Sequence, residues 1–261
     1  MNFNLPFIPE RSPKPRESGL TMMMDKGLGL LEVESFIESS AEFTDLVKFG
    51  FGTALIAKNL KQKIKLYREA GVEPYFGGTL FEMFAVRNKL DDYKRFVDEY
   101  GITTVEVSDG SMRIDPHEKV EMIQKLAKDK RVLSEVGTKV KGIEIPNSAW
   151  VKHMKDELQA GAWKVIAEAR ESGTIGIYNS DGSANRELID DIMKEISVDD
   201  VLWEAPVKNQ QVMFIQMVGA NVNLGNIAPN EVLALEALRC GMRGDTFFDY
   251  LPEEYQSKKQ V

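Results

Sequence analysis

The sequence predicts a single (β/α)8 barrel, and three observations predict it. Short apolar strands alternate with helical stretches eight times between residues 18 and 247. Their ends recur roughly 20–35 residues apart, a spacing that fits one strand, one helix and two short loops. The same helix-to-strand joint, ending in glycine, appears at Ala70-Gly71, Tyr100-Gly101 and Ala160-Gly161. An open doubly wound sheet is the competing arrangement, but no Gly-rich dinucleotide fingerprint follows the first strand.

Residues 1–17, with Pro6, Pro9, Pro13 and Pro15 among charged side chains, read as an extended N-terminal arm. Leu20-Thr-Met-Met-Met-Asp25 is the first strand, its methionines read as core filling rather than as metal ligands. Leu31 to Phe43 has helical spacing, and Asp45-Leu-Val-Lys-Phe-Gly50 is the second strand. Thr53 to Ala70 reads as one helix and Glu73-Pro-Tyr-Phe-Gly-Gly78 as the third strand. Phe81 to Tyr100 reads as another single helix before the strand Thr103-Thr-Val-Glu-Val-Ser-Asp109. Pro116 opens a helix at a first-turn position, leading to Arg131-Val-Leu-Ser-Glu-Val-Gly137. Ser148 to Ala160 is helical, and Trp163 to Gly173 follows as the sixth strand. That stretch has helix-compatible composition, yet Gly161 and Ser172-Gly173 leave room for only about two helical turns. Arg186 to Ile196, the strand Val201-Leu-Trp-Glu-Ala-Pro206, a helix through Met213, the strand Asn221 to Ile227 and a helix Glu231 to Cys240 complete the count. Residues 248–261 form a polar tail.

Composition bounds the function. The chain has 261 residues, 43% of them hydrophobic and 28% charged, enough for a sizeable core and a soluble surface. Its formal net charge of −8 does not indicate a basic face for nucleic acid or an acidic membrane. No apolar run approaches the roughly 20 residues of a membrane helix, and the N-terminus lacks a signal pattern. The single cysteine, Cys240, excludes an internal disulfide and fits a reducing cytoplasm. Only two histidines, His117 and His153, are present, so a Ser/His/Asp triad is unsupported and any metal would be held mainly by oxygen.

In such a barrel the reacting groups lie at the C-terminal ends of the strands, and side-chain direction alternates. Val165, Ala167 and Ala169 therefore face one way, and Lys164, Ile166, Glu168 and Arg170 the other. The same reasoning turns Lys48, Glu106, Ser108, Glu135 and Glu204 inward. Asp25 and Asn223 are placed at the mouth with them. Five carboxylates against two fixed cations leave excess negative charge, which a divalent cation such as Mg²⁺ would neutralise for an anionic substrate. Phosphate could be held at Gly77, Gly78 and Thr79 at a helix start, in Gly219 to Asn226 at the eighth strand, or by Arg243. For any one of these charges, a salt bridge closing the barrel is the plainer reading. Lys48 or Lys164 could alternatively serve as a Schiff-base lysine in an aldolase-like barrel.

The chain also resembles a known family at ordered motifs: Asp25-Lys-Gly, Val47-Lys-Phe-Gly-Phe-Gly-Thr53, Phe76-Gly-Gly-Thr-Leu-Phe-Glu82, Val105-Glu-Val-Ser-Asp-Gly-Ser111, Leu133-Ser-Glu-Val-Gly137, Ala169-Arg-Glu-Ser-Gly173, Glu204-Ala-Pro206, Val222-Asn-Leu-Gly-Asn-Ile227 and Leu238-Arg-Cys-Gly-Met-Arg-Gly-Asp-Thr246. These are similar to the phosphosulfolactate synthase family from about residue 18 to residue 247. The resemblance implies a (β/α)8 barrel that adds sulfite to phosphoenolpyruvate with Mg²⁺, giving (2R)-phospho-3-sulfolactate. It also implies a homo-oligomer feeding coenzyme M, sulfolactate or other sulfonate production. On it, Lys48 is the first candidate for the proton donor and Lys139 the second. Asp25, Glu135, Glu168 and Glu204 become metal candidates, and Arg170 and Arg243 candidates for phosphate or sulfite. Plant relatives linked to heat tolerance leave a non-catalytic stress-associated barrel as a further alternative.

Overall fold

The computed structural model describes residues 2–138 and 145–260. Eight parallel strands close into a barrel in sequence order: β1 (Thr21–Asp25), β2 (Leu46–Phe49), β3 (Glu73–Phe76), β4 (Thr104–Val107), β5 (Arg131–Val136), β6 (Ala162–Ala167), β7 (Val201–Glu204) and β8 (Leu224–Ile227). Around them run α1 (Leu30–Ser40), α2 (Leu60–Glu69), α3 (Gly78–Ala85), α4 (Leu90–Glu99), α5 (Pro116–Leu126), α6 (Asn147–Gln159), α7 (Arg186–Glu195), α8 (Lys208–Val218) and α9 (Val232–Arg239), with a short α10 (Glu253–Gln256) near the C-terminus. No helix among the described residues is long and apolar enough to cross a membrane.

Strand alternation divides the core in two. Val47, Phe49, Val105, Val107, Val165, Val201 and Trp203 pack outward against the helices. Leu20, Met22, Met24, Leu46, Tyr75, Leu133, Ile166 and Leu202 fill the lumen. A buried strand must satisfy both faces, so the lumen takes apolar side chains at its middle and polar ones only where a partner or solvent is near. Gly225 faces the lumen, and a Cβ there would lie 2.8 Å from Met22 Cε, so the missing side chain makes room for the methionine.

Several predicted elements are shorter in the structure. The stretch from Thr53 begins as a 3-10 turn, and α2 starts only at Leu60. The expected helix from Phe81 to Tyr100 is two helices, α3 and α4, divided where Asn88 takes φ +54°. Asparagine tolerates this left-handed conformation, and such a residue stops a helix. Strand β6 ends at Ala167, because Glu168, Ala169 and the residues after them leave the sheet for a turn.

The N-terminal arm is tied to the base of the barrel although it has no regular structure. Arg11 bonds Glu236 at 2.8 Å and the Gly19 carbonyl at 3.0 Å, and Arg16 pairs with Asp45 at 3.1 Å. Glu17 accepts a bond from the Trp163 indole at 2.9 Å. Arg239 on α9, fully buried, donates to the carbonyls of Ala220, Val222 and Leu20 and so bridges the ends of β8 and β1.

Candidate active site

At the C-terminal end of the strands a cavity of about 440 Å³ opens, lined by Met24, Lys48, Glu106, Glu135, Glu168 and Glu204, with Phe51, Thr79, Ser111, Arg170, Glu171 and Asn226 at its rim. Its floor is built by the inward positions of β2, β4, β5 and β7. The Lys48 ammonium lies 3.0 Å from Glu106, 3.3 Å from Glu135 and 3.4 Å from Glu204. Burial alone would lower its pKa, but Glu106, Glu204 and Glu135 outweigh burial and hold it well above the ordinary lysine value. Lys48 is therefore an ammonium throughout the neutral range.

The carboxylates have further partners. Glu106 accepts from the Gly78 backbone N–H at the start of α3, where the helix dipole favours a negative charge. Glu135 accepts from the Ser108 hydroxyl at 2.9 Å, and Ser108 also meets Glu82 on α3. Glu204 accepts from the Ala169 N–H at 2.9 Å. Burial, partly offset by Lys48 and reinforced by Glu135, pushes the Glu204 carboxyl up to about 7. Tyr75 lies in the lumen beside this cluster, and burial together with Glu106 raises its phenol well above the ordinary value. Behind β5, Lys119 bridges Asp109 and Glu157 and donates to the Glu135 carbonyl at 2.7 Å, fixing the strand end that presents Glu135.

Glu168 is buried at the mouth, its backbone held between Val136 O and Ile177 N. The turn that follows folds back so that Ala169 pairs with Gly176. Gly176 takes φ +83°, and a Cβ there would come within 1.9 Å of the Glu168 carbonyl oxygen. Only glycine allows this approach.

The structure brings together Lys48, Glu106, Ser108, Glu135, Glu168 and Glu204, and puts Gly78, Thr79, Arg170 and Asn226 around the same cavity. Arg170 is exposed at the rim. Gly77 caps the start of α3 beside Lys48, but the Gly78 N–H expected for phosphate is given to Glu106. Three placements need correction. Asp25 is absent from the mouth: Met22 and Met24 are the lumen residues of β1, so alternation turns Asp25 outward. There Lys63 at 2.6 Å, Tyr67 at 3.0 Å and the amides of Gly27 and Leu28 surround it. Asn223 has the inward parity but precedes β8, so it lies at the base, bonded to Leu20 N, Asp199 O and Val201 O. Arg243 follows α9 and is not among the residues lining the cavity. Lys139 lies outside the described residues. Lys164 belongs to the base, where its amine bonds Asp199 O at 2.7 Å, which removes it as a Schiff-base candidate at the mouth.

Sequence reasoning passed over Glu82, Tyr75, Phe51 and Glu171 as site residues. Glu82 stood in a quoted motif, yet its helix begins earlier than expected, at Gly78, and that start turns Glu82 towards Ser108. Among the described residues no group of three or more Asp, Glu, His or Cys side chains is arranged to hold a metal. Oxygens of Glu106, Glu135 and Glu204 meet the Lys48 ammonium instead.

Comparison with known proteins sets this geometry in context. The profile of (2R)-phospho-3-sulfolactate synthase (ComA) matches residues 9–245. The chain belongs to that family. Phosphosulfolactate synthase of Bacillus subtilis (strain 168) is 39% identical over 244 residues, covering 92% of this chain and 97% of the relative. Phosphosulfolactate synthase of Methanothermobacter thermautotrophicus is 41% identical over 245 residues, covering 91% and 95%. Membership makes the chain a lyase that binds small substrates. Among solved structures, 3-hexulose-6-phosphate synthase from Salmonella typhimurium superposes with a TM-score of 0.57 at 14% identity, covering 86% of this chain and all of the other. That likeness shows the barrel fold alone.

Proposed function

We propose that the chain joins sulfite to C3 of phosphoenolpyruvate, giving (2R)-phospho-3-sulfolactate, with Mg²⁺ as cofactor. The observation that carries the reading is a buried ammonium, Lys48, placed among three carboxylates on the floor of the mouth of a phosphosulfolactate synthase-family barrel. The sulfur lone pair forms the new C–S bond at C3, and the C2=C3 electron pair moves onto C2 and the carboxylate as an aci-carboxylate. A proton must then reach C2, and the phosphate ester stays intact. Lys48 supplies that proton from a position facing the cavity. A carbon base of this kind is more basic than an amine, so the transfer runs downhill even from a lysine whose pKa is held high. The carboxylates that keep Lys48 charged also favour its reprotonation from solvent.

An all-oxygen, net-negative donor set suits a hard divalent cation, and Mg²⁺ usually takes one or two protein carboxylates with water and substrate oxygens completing its shell. Glu168 with Glu135 or Glu204 would hold it. When bound it would stabilise charge building on the substrate carboxylate. Arg170, Thr79 and Asn226, which line the cavity, would orient the phosphate and the incoming sulfite. The Schiff-base reading asks for a neutral amine, whereas the three carboxylates hold Lys48 charged.

The test is to incubate the protein with Mg²⁺, sulfite and phosphoenolpyruvate and follow product by mass spectrometry. Phosphosulfolactate formed in proportion to enzyme, and abolished by EDTA, is the expected result. No sulfonated product would overturn the reading. Product formed equally well in EDTA would remove Mg²⁺ from it. Size-exclusion chromatography with light scattering checks the proposed homo-oligomer.

A further inference from the structure

The loop after β2 carries a residue that its backbone does not favour. Phe51 follows Lys48 by three positions and takes φ +57°, a left-handed conformation that a bulky side chain rarely adopts. Gly50 and Thr53 close a turn around it, the Thr53 N–H and hydroxyl both donating to the Gly50 carbonyl, at 3.3 and 2.7 Å. With Gly52 at φ −96°, ψ 19°, this is the pattern of a type II′ turn, whose first central position favours glycine. The glycines stand on either side of that position instead, where the loop presses on its neighbours. A Cβ at Gly50 would lie 3.0 Å from Met24 Cε and 3.4 Å from Lys26 Cγ, and one at Gly52 2.9 Å from Met83 Sδ. Lys26 in turn pairs with Glu171, on the loop after β6, at 2.5 Å. Phe51 also stays half in water, 45% exposed, while lining the cavity. Strain and exposure are both unfavourable, and a residue that keeps both at the mouth of a site points to function. Among the described residues lining the cavity, the apolar side chains are Met24, Ala169 and Phe51. Met24 and Ala169 are buried in its wall, so Phe51 is the one of the three that a ligand can cover. Phosphoenolpyruvate is charged at its phosphate and its carboxylate, and its C2=C3 unit is the part that suits an apolar contact.

We infer that Phe51 is a specificity-determining residue whose ring covers the outer face of the substrate's C2=C3 unit and keeps water from C2. This rests on the activity proposed above and names a residue outside the set assigned to it. Lys48 stands on the floor and Phe51 at the rim, so the planar enol lies between an ammonium and a phenyl ring. Once the C–S bond has formed at C3, the electron pair on C2 takes a proton from the Lys48 ammonium on the inner face, leaving a neutral amine. Were the outer face wet, water would deliver a proton there as well, releasing hydroxide and giving the opposite configuration at C2. A phenyl ring has no acidic proton to give. Covering that face therefore leaves Lys48 as the donor and (2R) as the configuration of the product.

Phe51→Leu, Phe51→Ala and Phe51→Gly are compared with wild type for turnover, melting temperature and the configuration of the product, read by chiral chromatography after the phosphate has been removed with a phosphatase. Wild type is expected to yield (2R) product alone. Phe51→Ala and Phe51→Gly are expected to yield about a tenth or more of (2S) product, a facial preference cut to about tenfold or below. Phe51→Leu keeps an apolar cover and is expected to give less (2S) product than Phe51→Ala. Glycine suits a φ of +57°, so Phe51→Gly is expected to melt about 2–4 °C above Phe51→Ala. Equally mixed product from those two variants, despite their different stabilities, separates the work of the ring from the strength of the turn. Pure (2R) product from both, or as much (2S) product from Phe51→Leu as from Phe51→Ala, would overturn the inference. So would mixed product from Phe51→Ala alone, because it would follow the strained turn and not the missing ring. Wild-type protein that makes no product would instead overturn the activity itself.

Discussion

Replacing Lys48 by methionine isolates the ammonium on the floor of the mouth. Methionine matches lysine as far as Cε and removes the ammonium, so packing in the lumen changes little. The side chain is 7% exposed, and its ammonium meets three carboxylates within 3.4 Å. Deleting one partner of a buried ion pair costs about 3–5 kcal/mol, because the remaining charge is left without compensation. The loss depends on pH in a stated direction. Glu204 titrates at about 7 with Lys48 present, so its folded-state pKa is already raised above the unfolded one. Removing the cation that lowers it raises it further. A group with a raised folded pKa takes up a proton on folding, so its penalty is absent in acid and develops as pH rises through the folded value. The variant should therefore lose more stability at pH 8 than at pH 5.5. Urea denaturation of both proteins at the two pH values measures this. A second replacement, Glu204→Gln, should restore part of the loss at pH 8. Activity gives an independent reading: turnover should vanish while phosphoenolpyruvate still binds by calorimetry. Equal midpoints for the variant and wild type at pH 8 would refute the charge argument, and near-normal turnover would remove Lys48 from the mechanism.

Three further outcomes are expected. Gly176→Ala strains a residue at φ +83° and drives a methyl into the Glu168 carbonyl, so melting temperature and turnover should fall together, with a stability loss of about 1–3 kcal/mol; unchanged values in a melting curve and a rate assay would argue against this turn holding Glu168. Arg239→Met strips a fully buried guanidinium from three backbone carbonyls at the base, and denaturation should report a loss of about 3–5 kcal/mol. KM for both substrates should hold in the fraction that stays folded, because the site is at the opposite end. Burial, helped by Glu236, pushes the Cys240 thiol up to about 11, so thiolate is scarce at pH 8 and a disulfide reagent should label it slowly in the native protein and at once in denaturant.

The sequence carried the barrel because period-two alternation and glycine joints are local. Leu46 and Lys48 turn inward and Val47 and Phe49 outward as their parity requires, and β4, β5 and β7 follow the same rule. That rule, applied without exception, also puts Asp25 outside. Its charge drew it towards the mouth in the sequence reading, while Met22 and Met24 already occupied the inward positions of β1. Parity says which face a residue takes but not how high along the strand it stands. Asn223 shows the difference, since it faces inward at the wrong end. Pairings across the chain were beyond reach for another reason. Lys26 and Glu171 are 145 residues apart, and nothing near either in sequence announces the other. Ser108 and Glu82 met only once helix α3 was known to begin at Gly78.

The two ends of the barrel use similar side chains under different conditions, and the difference separates support from chemistry. At the base, Arg239 reaches three carbonyls, Arg11 has Glu236, and Arg16 has Asp45, so each cation there has an acceptor of its own. At the mouth three carboxylates converge on one ammonium, and Glu168 adds a further acid to the same cavity. Where the described residues keep more acid than base there, they store electrostatic cost which bound ligands can relieve. Replacing the base residues should therefore be felt in stability alone. Magnesium with substrate should raise the melting temperature of the wild type, and should raise it less in Glu168→Gln, where part of the stored charge is gone. A melting temperature that ignores magnesium and phosphoenolpyruvate at millimolar concentration in both proteins would show that the acids at the mouth are as fully settled as those at the base.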